Sequence, residues 1–202
     1  MFDVLIIGGG VAGLSCALVI GSAHSKPFVQ NKKTGILLHQ KSSDLQDAVF
    51  NNAYGIPPGT LGSELLHSSA DHLATKYPHV AQITGEKVMA VEGNYPHFTV
   101  ITNKNSYPTK SIVLAIGHSN TFAIEGLMQF VMPHKKALAT KNRIQLINED
   151  HLVTEGIYVA GTLAGWRSQL SIAAGSGAAV ATDILTVWND HVPAQSHDSI
   201  KK

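Results

Sequence analysis

The stretch MFDVLIIGGGVAGLSCALVI (residues 1–20) decides the fold. Residues 2–7 are rich in Val, Leu and Ile and barely alternate, the pattern of a strand buried on both faces, as in a parallel sheet. Gly8, Gly10 and Gly13 follow in the spacing G-x-G-x-x-G, with Val11 and Ala12 between the last two. Residues 11–23 are small and apolar, suited to a helix packed hard against the strand. In such a unit the first glycine permits a tight turn, the second lets backbone approach a pyrophosphate, and the third lets helix and strand come close. The helix N-terminus is then aimed at negative charge. The turn predicts a dinucleotide site, set against a reading in which the glycines serve packing alone, and leaves the dinucleotide open.

Composition narrows the field. The chain has 202 residues, 44% of them apolar, enough for a real core. A net charge of +1 with 14% charged residues argues against a nucleic-acid face and against an acidic solvating tail. The single cysteine, Cys16, excludes an internal disulfide framework, a CxxC redox pair and a cysteine-rich metal site within one chain. Redox work here needs a bound cofactor. No Lys or Arg precedes the first apolar run, Asp3 sits at its start and glycines interrupt it, so it reads as folded core rather than a leader or membrane span, with a cytoplasmic address expected.

Further along, TGILLHQKSS (34–43) reads as a second buried strand ending in polar residues, NNAYGIPPGTLGSELL (51–66) begins as a Pro- and Gly-rich loop, and Gly62 to about Tyr77 reads as an amphipathic helix. EKVMAVEG (86–93), HFTVITN (97–103) and SYPTKSIVLAIG (106–117) form a small meander that feeds a buried strand at 112–116. From His118 to Asp150 there is no clear period. EGIYVAG (155–161) is another buried strand, and 168–188 is a long helix of small residues; the last dozen residues read as a frayed tail. The dinucleotide fingerprint places an acid at the end of the second strand, but Gln40 stands there. An amide still accepts one hydrogen bond, while Lys41, Ser42 and Ser43 suit a 2′-phosphate, which keeps NADP open.

SIVLAIG (111–117), GIYVAGTLAG (156–165) and QLSIAAGSGAAVA (169–181) decide between cofactors. With the glycine turn, the 51–66 loop carrying Asn52, and the meander, they stand in the order of thioredoxin reductase-like flavoproteins, within the pyridine nucleotide-disulfide oxidoreductase class. The chain resembles the FAD domain of these proteins over most of 1–117 and 141–188. The resemblance implies a three-layer α/β, FAD/NAD(P)-binding Rossmann-like domain with a central parallel sheet and a small β-meander. Residues 1–190 would be a single FAD-binding domain, 118–150 a short connection and 191–202 a tail. It implies FAD seated at Gly8, Gly10, Val11, Ala12 and Gly13, with Gln40 and Lys41 at the adenosine ribose and Val88 meeting adenine through its backbone. Asn52 would reach the flavin side, Gly161 and Thr162 would lie against the ribityl chain and pyrophosphate, Gln169 and Leu170 near the isoalloxazine ring, and Gly117 would also belong to the cofactor site.

Two departures matter. The family's Gly-Asp is Gly161-Thr162 here, which removes an ionised acceptor of the ribityl chain. Family members also insert a nicotinamide-binding domain after the LAIG strand, which takes on the order of a hundred residues; only residues 118–154 lie between Gly117 and Glu155, with no second glycine turn. Without that domain and without CxxC, the expected function is a stand-alone FAD-dependent oxidoreductase served by a diffusible or protein-borne donor, as a homodimer or with a redox partner. A non-catalytic FAD-binding sensor or scaffold and an NADP-binding protein stand as alternatives.

No single residue declares catalysis. His118, at the carboxyl edge of the sheet, reads either as a base or orienting group or as a loop histidine in water. Arg167 is placed to stabilise a reduced, anionic flavin, and Trp166 either covers the ring or caps the core. His67 and His72 are five apart and share no helix face, so no metal site is expected. Cys16, among Leu14, Ala17 and Leu18, reads as a small core hydrophobe rather than a flavin-facing thiol.

Overall fold

The computed structural model describes residues 1–39 and 45–197. Its first strand, β1 (Phe2–Ile7), runs into helix α1 (Val11–Ser22) and then β2 (Thr34–Leu38). A short hairpin of β3 (Val49–Phe50) and β4 (Thr60–Leu61) precedes α2 (Gly62–Lys76) and β5 (Ala81–Thr84). The meander β6 (Val88–Asn94), β7 (His97–Thr102) and β8 (Ser106–Leu114) follows. A second hairpin pairs β9 (Val131–Pro133) with β10 (Ile144–Leu146), and β11 (Leu152–Thr154), β12 (Ile157–Val159) and α3 (Leu170–Trp188) close the chain.

The main sheet has the order β11-β12-β8-β1-β2-β5, with β7 on β8 and β6 on β7. From β12 to β5 every neighbour pair is parallel. The nine-residue β8 serves both parts: Ser106–Thr109 pairs antiparallel with β7, and Thr109–Leu114 pairs parallel with β1. The burial expected for β1 holds on both faces from Asp3 to Ile7. Val4 and Ile6 pack with Cys16, Ala17 and Ile20 of α1 and Val180 and Ile184 of α3. Leu5 and Ile7 face the opposite layer, with Phe98, Val100, Leu127, Leu146 and Leu163.

The approach of α1 to α3 rests on missing side chains. A Cβ on Gly177 would run into the Ala12 carbonyl oxygen, and the Ser15 hydroxyl donates to the Ala174 carbonyl oxygen at 2.8 Å. Helix α3 is long and apolar enough, by length and composition, to cross a membrane; here Gly177, Val180, Ala181, Ile184 and Leu185 are buried against the rest of the fold.

Several expectations shift. The second strand ends at Leu38, the long helix starts at Leu170, the buried strand expected at 112–116 is the end of the longer β8, and the strand expected at 155–161 is confined to Ile157–Val159. The edge strand β5 and the hairpins β3/β4 and β9/β10 were not expected. Residues 118–150 are therefore more than a connection. Val131–Leu146 supplies Leu146 to the core and brings the hairpin against the Gly161–Ala164 turn.

Candidate functional site

The parallel strands end together, and their carboxyl ends border a cleft of about 660 Å³. Gly8 opens it with φ +119°, and a Cβ there would strike the Ala115 carbonyl oxygen. A Cβ on Gly13 would in turn strike the Gly8 carbonyl oxygen, so the third glycine lets the helix sit on the turn. Two helix N-termini reach the cleft: Gly10, Val11 and Ala12 of the α1 end, and Gln169, Leu170 and Ala173 of the α3 end. Neither has a side-chain cap or an acidic residue in its first turn. Their amide groups are left for an anion, as a pyrophosphate requires.

Gly117 and His118 line the cleft from the end of β8, and Gly161 and Thr162 from the end of β12. Ser176 fixes the second pair: its hydroxyl accepts the Gly161 N–H at 2.8 Å and lies 2.9 Å from His151 Nε2. Buried His134 fixes the rest. Its Nδ1 accepts the Lys136 N–H at 3.1 Å, which leaves Nε2–H to donate to the Thr162 carbonyl oxygen at 3.0 Å. Its own backbone N–H donates to the Arg143 carbonyl oxygen at 2.9 Å, and the His118 ring packs edge-on at 5.4 Å. The next residue, Ile144, donates its N–H to the His118 carbonyl oxygen at 3.1 Å. These contacts hold Arg143 on the cleft wall beside His118.

Of the residues singled out in the sequence, Gly8, Gly10, Val11, Ala12, Gly117, His118, Gly161, Thr162, Gln169 and Leu170 line this one cleft. Gly13 lies just beneath it. Asn52 is exposed on the loop between β3 and β4, and Val88 is buried in the second core layer, both away from the cleft wall. Gln40 and Lys41, with Ser42 and Ser43, lie outside the described residues. Arg167 is exposed and, among the described residues, hydrogen-bonds the Lys136 carbonyl oxygen at 3.5 Å. Trp166 lies apart from the cleft wall: its indole N–H donates to His151 Nε2 at 3.1 Å, and the Lys136 ammonium sits 4.2 Å from the ring centroid. Cys16 is fully buried, and burial pushes its thiol up, far from reactivity. Sequence reading missed His39, Asp47, Phe50, Arg143 and Ser168, all on the cleft wall. Asp47 is the one carboxylate among its described residues and Arg143 the one guanidinium or ammonium group.

A parallel sheet with a glycine turn, two open helix ends and one long cleft across its carboxyl edge defines a dinucleotide-binding α/β protein. The comparisons carry this further. The profile of the family described as pyridine nucleotide-disulphide oxidoreductase matches residues 2–177, and the chain belongs to that family. A ferredoxin–NADP reductase 1 of Bacillus pumilus (strain SAFR-032) is 32% identical over 124 residues, covering 58% of this chain and 33% of the relative. A ferredoxin–NADP reductase of Levilactobacillus brevis is 29% identical over 117 residues, covering 58% and 34%. The chain thus matches about a third of the length of these curated relatives. Among solved structures, an oxidoreductase from Agrobacterium tumefaciens superposes with a TM-score of 0.68 at 15% identity, over 92% of this chain and 98% of that one. The Lactococcus lactis thioredoxin reductase gives 0.67 at 15% identity, over 94% and 100%, which establishes the shared fold.

The cofactor of the family is FAD. The cleft fits it: the glycine cradle and the uncapped α1 end suit the pyrophosphate, the uncapped α3 end offers free amide groups further along the cleft, and the volume lies within the range of cofactor sites.

Proposed function

We propose that this chain is a thioredoxin reductase-like FAD-dependent oxidoreductase unit whose electrons come from a diffusible molecule or a partner protein rather than from a nicotinamide domain of its own. One observation carries the reading. Between the paired strands β8 and β12, where the resemblance calls for that domain, the chain folds a hairpin onto the rim of the cleft and builds no second strand–glycine turn–helix unit. Bound FAD supplies hydride and single-electron chemistry, and the protein supplies position and charge. Here the α1 N-terminus and Gly8–Gly10 would hold the pyrophosphate, His134 keeps the Thr162 backbone in place, and Gln169 and Leu170 would present the α3 N-terminus to the ring end. A cytoplasmic setting and a homodimer or partner subunit go with this reading.

The described cleft wall has no thiol, and Asp47 is its one carboxylate. That favours, as a second reading, a flavin-binding sensor or scaffold that does no chemistry on a substrate. The visible spectrum of the purified chain, before and after anaerobic NADH or NADPH, tests both. Yellow protein that bleaches and recovers in air supports an oxidoreductase. Yellow protein that no nicotinamide changes supports the sensor or a protein-borne donor. Colourless protein that takes up no added FAD defeats both, and NADP binding is then the reading to test.

A further inference from the structure

We infer that Arg143 stabilises negative charge on the flavin ring, so that this chain favours the reduced cofactor more strongly than it would without that residue. The inference rests on the FAD reading and goes beyond it.

Position is the first ground. With the pyrophosphate at the Gly8–Gly13 turn and the adenosine at the end of β2, the flavin half would lie over the ends of β8 and β12. Arg143 stands at that end of the cleft: Ile144 is bonded to His118 after β8, and His134, bonded to the Arg143 carbonyl, is bonded to Thr162 after β12. The second ground is charge. Among the described residues no hydrogen bond or ion pair engages the Arg143 guanidinium, although the residue is partly buried and lines the cleft. Asp47 lines the same cleft, yet no ion pair joins the two. The third ground is the neighbouring strand end. Thr162 occupies the position where the resemblance implies an aspartate, so a negative charge is absent from the end of the cleft where a positive one has been placed. Both features act in one direction. When the ring takes up two electrons and one proton it gains one net negative charge, and an unneutralised guanidinium in a partly desolvated cleft favours that state. Neither Arg167, which is exposed and off the cleft, nor an exposed lysine can do the same against solvent screening.

The experiment has two readouts on the full chain loaded with FAD: the dissociation constant of oxidised FAD, and the midpoint potential measured against a reference dye with dithionite as reductant. Arg143→Gln is expected to leave the first within about threefold and to lower the reduced-to-oxidised ratio at fixed potential about tenfold, a shift of about 30 mV for a two-electron couple. Arg143→Lys should stay close to the parent, and Thr162→Asp should shift the potential in the same direction as Arg143→Gln. Unchanged potentials in Arg143→Gln and Thr162→Asp overturn the inference and leave the FAD reading intact. Weakened binding of oxidised FAD by Arg143→Gln without a shift in potential overturns it in favour of a pyrophosphate contact. Failure of the parent chain to bind FAD removes both.

Discussion

The indole N–H of Trp166 donates to Nε2 of His151 across 3.1 Å, and the Ser176 hydroxyl lies 2.9 Å from the same nitrogen. Because the Ser176 oxygen already accepts the Gly161 N–H, its own proton is free to point at His151. Nε2 therefore receives two donors and must carry no proton.

A pH dependence follows. Burial holds His151 below the usual 6.5, against the pull of Asp183 and Asp150, so the folded chain keeps the imidazole neutral. The unfolded chain takes up the proton first; this part of the stability is present above pH 6.5 and is lost as pH falls through the lower folded value. Protonation also turns Nε2 into a donor, which the Ser176 hydroxyl can rotate to accept but the indole N–H cannot, and this should free Trp166. Trp166 fluorescence in a Trp188→Phe background should change as pH falls below 6.5. His151→Gln, whose amide oxygen accepts the indole N–H at any pH, should flatten that change. A fluorescence profile unaltered by His151→Gln would show that the contact carries no pH signal.

Glu86 gives an acid-side prediction. Its carboxylate accepts from the Thr102 hydroxyl at 2.6 Å and from the Asn105 amide and Tyr107 hydroxyl, each at 2.8 Å. The Thr102 hydrogen bond is the largest influence, and together the three donors outweigh desolvation and hold the group below 4.5. With a lowered folded pKa, its contribution is present above pH 4.5 and fades as pH falls through the folded value. Glu86→Gln should lower the melting temperature at pH 7, because its NH2 would meet groups that are themselves donors. The gap from the parent should narrow by pH 3; a gap that stays constant with pH would mean that the carboxylate charge is not what the three donors serve.

These devices were legible in the sequence to very different degrees. The β1–turn–α1 unit could be read because burial period, glycine spacing and helix composition all fall within twenty residues and agree. The edge strand β5 could not: Ala81–Thr84 is four residues long and half exposed, and only pairing with β2, across a loop and a helix, makes it a strand. Hairpin β9/β10 has three residues on each side, too few for any period, and it holds because Leu146 is buried and Gln145 accepts the Lys135 N–H at 2.8 Å. Arg143 inherits that opacity. Nothing in ATKNRIQ marks it as a cleft residue; its place is set by hydrogen bonds of its carbonyl to His134 and of the next residue's N–H to His118, both earlier in the chain.

The contact between α1 and α3 sets a packing prediction. Gly177→Ala pushes a methyl group against the Ala12 carbonyl oxygen, backbone that cannot rotate away. The expected cost is about 1–3 kcal/mol in chemical denaturation. Because Ala12 also lines the cleft, FAD affinity should fall with it. Gly175→Ala, on the same helix with nothing within 4 Å of its added methyl, is the control and should be neutral or slightly stabilising. Equal losses from both would trace the effect to the helix itself rather than to the α1 contact.

The last prediction concerns His134, which ties the hairpin to the strand end. Its ring bridges the Lys136 N–H and the Thr162 carbonyl oxygen, and its backbone N–H holds Arg143. His134→Ala removes the ring contacts, leaves the backbone bond in place and opens a void in a buried position. The ring bonds to the Thr162 carbonyl oxygen and the Lys136 N–H are then lost, at about 1–3 kcal/mol. FAD affinity should drop roughly tenfold, the equivalent of about 1.4 kcal/mol. His134→Asn has an amide that can donate on one side and accept on the other but reaches less far, so it should recover only part of the affinity. Titration of the apo chain with FAD measures both, and a melting curve of each apo variant separates local loosening from unfolding. If His134→Ala binds FAD as the parent does, the Thr162 end of the cleft is held by Ser176 and the Gly161 N–H alone.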